Sequence, residues 1–508
     1  MNERKAGAVL SYASLLVTLL VALVYTPIMI RLIGQSEYGL FALIGSLAAY
    51  FSVMDLGLGN TIIRYISRNN AIGSKEIESK LNGFFLKIYS CIGLLAIVIG
   101  LLVWLNVDII FGNSLTESEL DKAKIMIIIL IFNFALSFPL SIFSSILQAY
   151  EKFIVVKTTS IIRALLIPTI TLPFLFIGYG AVLMLFITTI VNIFVLIFQA
   201  IYAFKKLNVE FNFNKIESSF VKEIVGFSIF IFLNVLVDLI YWNTDQFLLG
   251  VISGTQTIAI YAIAMQFVTI YKMFSTSLSN LFLPQASKLV ANNASNQIIS
   301  ELMVRYGRIQ FIILTFILSG FFLFGNQFIY VWAGASYTDA FYIVLIIMIP
   351  LLIPLTQNFG IAVLQAKNEQ RFRVITYLII AIINVIISIP LAIYYGGIGI
   401  AFATAVSLIL GHIIIMNIYY HKVIKIDMIL YWKNVSSILL VVIIITTFGY
   451  VINNYLFNTD DLLSLAIKIV IYILIFTVSI WLFGMNKYEK ELVKNTKLKI
   501  AKKFNFSR

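Results

Sequence analysis

LQAYEKF (147–153) and LQAKNEQRF (364–372) say nearly the same thing twice, with 219 positions between Phe153 and Phe372. The match spreads in both directions. Gly180-Ala181 stands opposite Gly399 and Ala401, and Gly34 and Phe41-Ala42 precede Gly254 and Tyr261-Ala262 by 220 positions. At the same offset Asn60 meets Asn280 and Arg68 meets Lys288. The chain reads as two copies of one unit, and what that unit is depends on the solvent it lives in.

Hydrophobic residues make up 61% of the 508 and charged residues only 12%. Soluble domains carry about 25% charged residues, so folding in water is excluded. The apolar runs are roughly 20–25 residues long, enough to cross a hydrocarbon core of about 30 Å. Lipid offers no partner for backbone N–H and C=O groups, so continuous runs of this length are helices. Barrel strands would be shorter and alternating. The N-terminal run from about Ala6 to Ile30 is too long for a signal-peptide core and counts as the first span. The single Cys91 provides neither a disulfide framework nor a metal set.

Hydropathy predicts an all-α polytopic membrane protein with about fourteen spans: 7–30, 38–62, 82–106, 123–147, 154–177, 180–204, 223–251, 256–283, 308–333, 338–364, 373–395, 397–420, 433–456 and 463–484. Alternate loops are basic, as in Arg64, Arg68, Lys75 and Lys80, or Lys205, Lys206, Lys215 and Lys222. The loops between them hold little but Arg31, Lys122 and Lys124, together with acids such as Asp108, Glu117, Asp339, Asp460 and Asp461. The positive-inside rule puts the basic loops and both termini in the cytoplasm. The net charge of +13 is then topological, and no nucleic-acid partner is expected.

The repeat divides the chain into an N-terminal lobe (1–204, spans 1–6), a cytoplasmic linker (205–222) and a C-terminal lobe (223–424, spans 7–12). Two unpaired spans (425–484) and a basic tail (485–508) follow. A copy displaced by an even number of spans keeps its orientation, so the lobes form a parallel pseudo-two-fold repeat about the membrane normal. Such duplication marks transporters, with the substrate path between the halves. All eight prolines lie in spans or at their ends, where kinks are tolerated.

Polar residues inside spans are costly and mark cavities or partners. Asn234, Asp238, Tyr241 and Asp245 fall on one face of the seventh span. Ser14, Thr18 and Tyr25 do so in the first, and Gln266, Thr269, Lys272, Thr276 and Asn280 in the eighth. Arg163 lies mid-way along the fifth span, Lys87 about a turn inside the third, and Asp55 toward the cytoplasmic end of the second. Arg163, Lys272, Lys87, Asn234, Gln266, Asn280, Thr18 and Tyr25 are the candidate substrate contacts. Asp238, Asp245 and Asp55 are the candidate coupling acids. A structural ion pair or hydrogen bond is the alternative for Asp238, Arg163 and Lys272, and snorkelling for Lys87. Lys468, near a span end, is expected to snorkel. His412 and His421 are read as helix-end residues without chemistry, and no catalytic or metal-binding set is expected.

IRLIGQSEYGLFALIGSLAAYFSVMDLGLGNTIIRYISR (30–68) resembles the polysaccharide-biosynthesis membrane proteins, the repeat-unit flippases for O-antigen and capsule. These belong to the multidrug/oligosaccharidyl-lipid/polysaccharide exporter superfamily. The residues that carry the likeness are Arg31, Gly34, Gly57, Gly59 and Arg64, with the YGAV and YGGIGIA openings. The resemblance implies two six-helix lobes opening alternately to each face of a bacterial cytoplasmic membrane, without a cofactor. It implies an undecaprenyl-diphosphate-linked glycan as substrate, spans 13 and 14 flanking a groove for the lipid tail, and a polysaccharide polymerase with chain-length machinery as partners. Related peptidoglycan-precursor flippases place arginines in the first span, whereas no arginine stands between Lys5 and Arg31 here. A cation-coupled drug or metabolite exporter of the same architecture is one alternative. A membrane-embedded polymerase or ligase is another, against which the outer loop at 107–122 is short and acidic.

Overall fold

The computed structural model describes residues 3–214, 217–279, 282–456 and 462–495, among which there is no strand. The first helices are α1 (Glu3–Ser52), α2 (Leu58–Ile72), α3 (Lys75–Leu105), α4 (Val107–Phe111), α5 (Glu117–Ala149), α6 (Phe153–Phe176) and α7 (Ala181–Leu207). Next come α8 (Ser218–Ile252), α9 (Thr255–Ser279), α10 (Phe282–Ala291), α11 (Asn296–Trp332), α12 (Ala340–Thr356), α13 (Asn358–Ala366) and α14 (Gln370–Ser407). A π-helical segment (Leu408–Ile415) leads into α15 (Met416–Lys422), then α16 (Met428–Leu456) and α17 (Leu462–Ser479).

Among the described residues, twelve helical stretches are long and apolar enough to cross a membrane. Two of them, Val9–Ala71 with 63 residues and Gln370–Lys422 with 53, far exceed the roughly 20 that one crossing needs. Each contains a residue outside helical geometry, Gly34 (φ 82, ψ 170) or Gly396 (φ 55, ψ −135). Hydropathy led to an expectation of fourteen spans; the described stretches number twelve, with Val9–Ala71 covering the expected spans 7–30 and 38–62 and Gln370–Lys422 those at 373–395 and 397–420. Many large apolar side chains point outward, among them Leu94, Leu102, Phe194 and Ile386, as lipid-facing helices require.

The duplication seen in sequence is written into the backbone. Left-handed residues occur in matched pairs 217–220 positions apart: Gly34 with Gly254, Gly73 with Asn293, Glu151 with Asn368, Gly178 with Gly396, and Asn208 with Lys425. The LQA segments show why the words recur. Lys152 N–H bonds to the Leu147 carbonyl (2.8 Å) and Glu151 N–H to that of Gln148 (2.9 Å). Glu369 repeats the first bond to Leu364 (2.9 Å) and Asn368 the second to Gln365 (3.2 Å). Both are Schellman turns, which satisfy the last carbonyls of a helix through a left-handed residue. In the first copy the Tyr150 hydroxyl donates to Glu78 Oε1, and burial and that carboxylate push the hydroxyl's pKa up.

Two compact units cluster in space, Met1–Ala262 with Val385–Ile400, and Ile263–Asn384 with Ala401–Arg508. In the first, small residues let helices close on one another. A Cβ on Gly93 would meet the Ala135 carbonyl oxygen of α5 at 3.0 Å, and one on Gly100 would lie 2.3 Å from Ile131. In the second, α11 is the central helix against α12, α16 and α17. Its aromatic contacts include Phe316 with Tyr472 and Phe476, and Tyr306 with Phe282 and Phe359.

Candidate functional site

Helix continuity fails within the second span, at DLGLG. After α1 a short 3₁₀ turn (Val53–Asp55) leads to Leu56 (φ 53, ψ 20) and Gly57 (φ 72, ψ 13), and α2 starts at Leu58. Asp55 closes the break. Its Oδ1 accepts the Tyr89 hydroxyl at 2.5 Å and its Oδ2 the Gly59 N–H at 3.4 Å, placing negative charge at the start of α2. A Cβ on Gly57 would sit 2.6 Å from Ile231 of α8, so a left-handed backbone and a close approach both select glycine.

The second span lies along α8. Tyr50 donates to Thr244 Oγ1 (2.7 Å), Thr61 and Ser228 hydroxyls share a bond (2.8 Å), and the Arg64 guanidinium lies 4.2 Å from the Phe227 ring centroid. Arg68 and Glu223 form an exposed pair at 3.4 Å. At the opposite, acidic end, Glu119 accepts from Ser36, from Thr255 Oγ1 (2.7 Å) and from Thr116 N–H (2.8 Å, through Oε2). Glu37 pairs with Lys122 and accepts the Ala181 N–H at 2.8 Å, capping α7 from another helix. A Cβ on Gly39 would fall 1.8 Å from the Thr255 carbonyl oxygen. In the R-x-I-G-x-x-E-Y-G stretch, Gly34 therefore breaks the helix, Glu37 anchors the following one and Gly39 admits a neighbouring backbone, while Arg31 stays exposed.

The candidate substrate contacts distribute as follows. Arg163 is exposed and donates through Nη1 to Asn192 Oδ1 (3.0 Å). Asn192 donates onward to Asn133 Oδ1 (3.1 Å) and Ser137 Oγ (3.0 Å), so the cation heads an amide–hydroxyl network. Tyr25 lies near Thr171, and Thr18 returns its hydroxyl to the Ser14 carbonyl (2.9 Å). Lys87 donates to the Phe213 carbonyl (2.7 Å) in the segment after α7. The seventh-span stripe divides. Asp238 is exposed and Asn234 half-buried, while Tyr241 and Asp245 are buried, with Asp245 accepting the Tyr261 hydroxyl at 2.6 Å. Asn280, like the basic tail after residue 495, lies outside the described residues.

In the second unit Gln266 and Lys272 are half-buried. His412, read from sequence as a helix-end residue, lies inside the π-helical segment, a geometry frequent at functional sites. Its ring stacks on Tyr377 with centroids 3.9 Å apart, and the Arg373 guanidinium carbon is 5.5 Å from the Tyr377 centroid. Lys272 and Arg373 both lie within electrostatic reach of His412. Lys468 does not snorkel. It is 6% exposed and donates to Gln327 Oε1 at 3.3 Å, because α17 turns that face toward α11. An apolar cavity of about 460 Å³ opens between α11, α12 and α16, lined by residues including Ser319, Phe322, Ile349, Val442 and Tyr450. Sequence reasoning also missed the buried ion pair of Arg308 with Glu489 and the Glu37–Lys122 pair, because charges far apart in sequence carry no local signal of pairing. Among the described residues, no three of His, Cys, Asp and Glu gather as a metal site.

The family model for polysaccharide biosynthesis proteins matches residues 5–290, which takes in the DLGLG break, the Arg163 network and Lys272. The chain belongs to that family. Similar to this polysaccharide biosynthesis protein is a Bacillus subtilis (strain 168) chain described as uncharacterized membrane protein EpsK, 22% identical over 419 residues, covering 78% of this chain and 79% of that one. Among solved structures, a lipid II flippase MurJ in an inward closed conformation aligns with a TM-score of 0.72 at 17% identity, over 94% of this chain and 98% of the other. An inward-facing multidrug resistance transporter of the MATE family aligns with a TM-score of 0.59 at 16% identity, over 78% and 96%. At these identities the likeness is one of fold, and the all-helical MurJ/MATE-like fold is the one the sequence predicted.

Proposed function

We propose that this polysaccharide biosynthesis protein is a flippase that moves undecaprenyl-diphosphate-linked oligosaccharide units across the bacterial cytoplasmic membrane by alternating access, for O-antigen, capsule or exopolysaccharide assembly. The observation that carries the reading is Arg163 at the head of the Asn192–Asn133–Ser137 network within the family-matched region. A guanidinium suits a phosphate through its forked donors, and amides and hydroxyls suit a glycan. Lys272 would supply a second cation. The apolar cavity beside α16 supports a lipid-tail groove along residues 425–484. In this reading residues 1–204 and 223–424 act as the two lobes, Asp238 is the coupling acid, both termini are cytoplasmic, and polymerase and chain-length proteins receive the product. The structural relative described as a lipid II flippase supports a lipid-linked substrate, and the MATE likeness leaves drug export as the second reading.

Proteoliposomes decide between them. A fluorescent undecaprenyl-diphosphate oligosaccharide placed in one leaflet should become accessible to a glycosidase on the other side only where the protein is present. Movement of organic cations without movement of the lipid-linked glycan would replace flippase by exporter.

A further inference from the structure

At the end of the helices that carries the basic loops, α15, the loop after it and α16 border an open groove of about 560 Å³. His421, Lys422 and Lys433 line it, with Trp432, Ile418 and Ile429. The three basic side chains are exposed, as are Ile418 and Ile429. The indole is held in place, since Trp432 Nε1–H donates to Asn417 Oδ1 at 3.0 Å and Asn417 is itself bonded to Gln357. The carboxylate in this loop is committed elsewhere. Asp427 Oδ1 accepts the Leu430 N–H at 3.0 Å and so starts α16.

We propose that this groove is a binding site for an anionic glycerophospholipid of the leaflet at the basic end. Lys422 and Lys433 would face the phosphate, Trp432 would sit at headgroup depth, and Ile418 and Ile429 would meet the first acyl methylenes. Two lysines at a span end supply the charge complement of a phosphodiester, and tryptophan is the side chain that prefers the boundary between headgroup and chain. A free anion would use the lysines and leave the apolar wall bare, while a zwitterionic lipid would gain little from the two lysines. The groove is built from residues between Asn417 and Ser436, so it shares no side chain with the cations assigned to the glycan lipid.

The purified full-length protein in mild detergent can be titrated with phosphatidylglycerol, phosphatidylcholine or inorganic phosphate, reading bound lipid by native mass spectrometry and the thermal midpoint in parallel. Phosphatidylglycerol is expected to be retained and to raise the midpoint, while the other two leave both unchanged. Lys422→Gln with Lys433→Gln should weaken retention on the order of tenfold or more. Lys422→Arg with Lys433→Arg should keep it, which separates loss of charge from loss of fold. Equal retention of phosphatidylcholine, a full response to phosphate alone, preference for undecaprenyl diphosphate over phosphatidylglycerol, or an unaltered response of the glutamine variant would each overturn the assignment.

Discussion

Arg308 on α11 and Glu489 beyond α17 form a closed ion pair, with Nε 2.7 Å from Oε1 and Nη2 3.1 Å from Oε2, the two side chains being 5% and 4% exposed. The same guanidinium reaches the carbonyls of Asn434 and Gly484 (2.8 Å for the latter), so one side chain holds the ends of α16 and the last span against α11. Glu489→Gln leaves a buried cation uncompensated and should destabilise the protein by about 3–5 kcal/mol. Unfolding midpoints in detergent check this, and the Arg308→Met, Glu489→Leu double variant should recover much of the loss.

Gly57→Ala should be far more damaging than Gly226→Ala. At Gly57 the added methyl meets Ile231 in a left-handed backbone, whereas nothing lies within 4 Å of the site at Gly226. Left-handed strain of roughly 1–2 kcal/mol and overpacking of about 1–3 kcal/mol add at the first position. Comparing thermal midpoints of the two variants tests the difference, and equal values would remove the close packing of Gly57.

Arg163→Ala and Lys272→Ala should each lower surface glycan at unchanged protein level, by loss of charge-assisted contacts of about 1.5–3 kcal/mol. Arg163→Lys should restore only part, because a lysine cannot present the planar fork. Full glycan display by both alanine variants would take these cations out of the substrate path.

Asp238→Asn preserves size and hydrogen-bonding reach but cannot titrate. If the exposed Asp238 carries the coupling proton, the variant's transport in proteoliposomes should lose its dependence on pH. An unchanged pH profile would leave Asp238 outside the coupling step.

Helicity and the apolar spans were legible because each depends on local pattern. The LQA words were legible as a repeat, whereas the left-handed residue of each Schellman turn was not, because Glu151 and Asn368 are different letters. The split of the α8 stripe was not legible. Helical periodicity places Asp238 and Asp245 on one face, yet only the packing of Tyr261 decides which of them is enclosed. The stacking of His412 on Tyr377, in the same long helical stretch, was hidden because 35 residues separate them in sequence. Lys468 misled because depth in a span says nothing about which neighbour the helix turns toward.

Glu151 and Asn368 are different amino acids in the same left-handed conformation. If the two halves descend from one ancestral segment, drift has changed the letter and spared the dihedral angle, so the inherited object is the backbone turn. The unmatched left-handed positions among the described residues, Leu56, Gly57 and Gly334, are then departures from that inheritance. Two of the three fall together in DLGLG, whereas Thr276 and Ser277, which stand 220 positions further on, are helical, so this part of the second span is where the described backbone leaves the repeat.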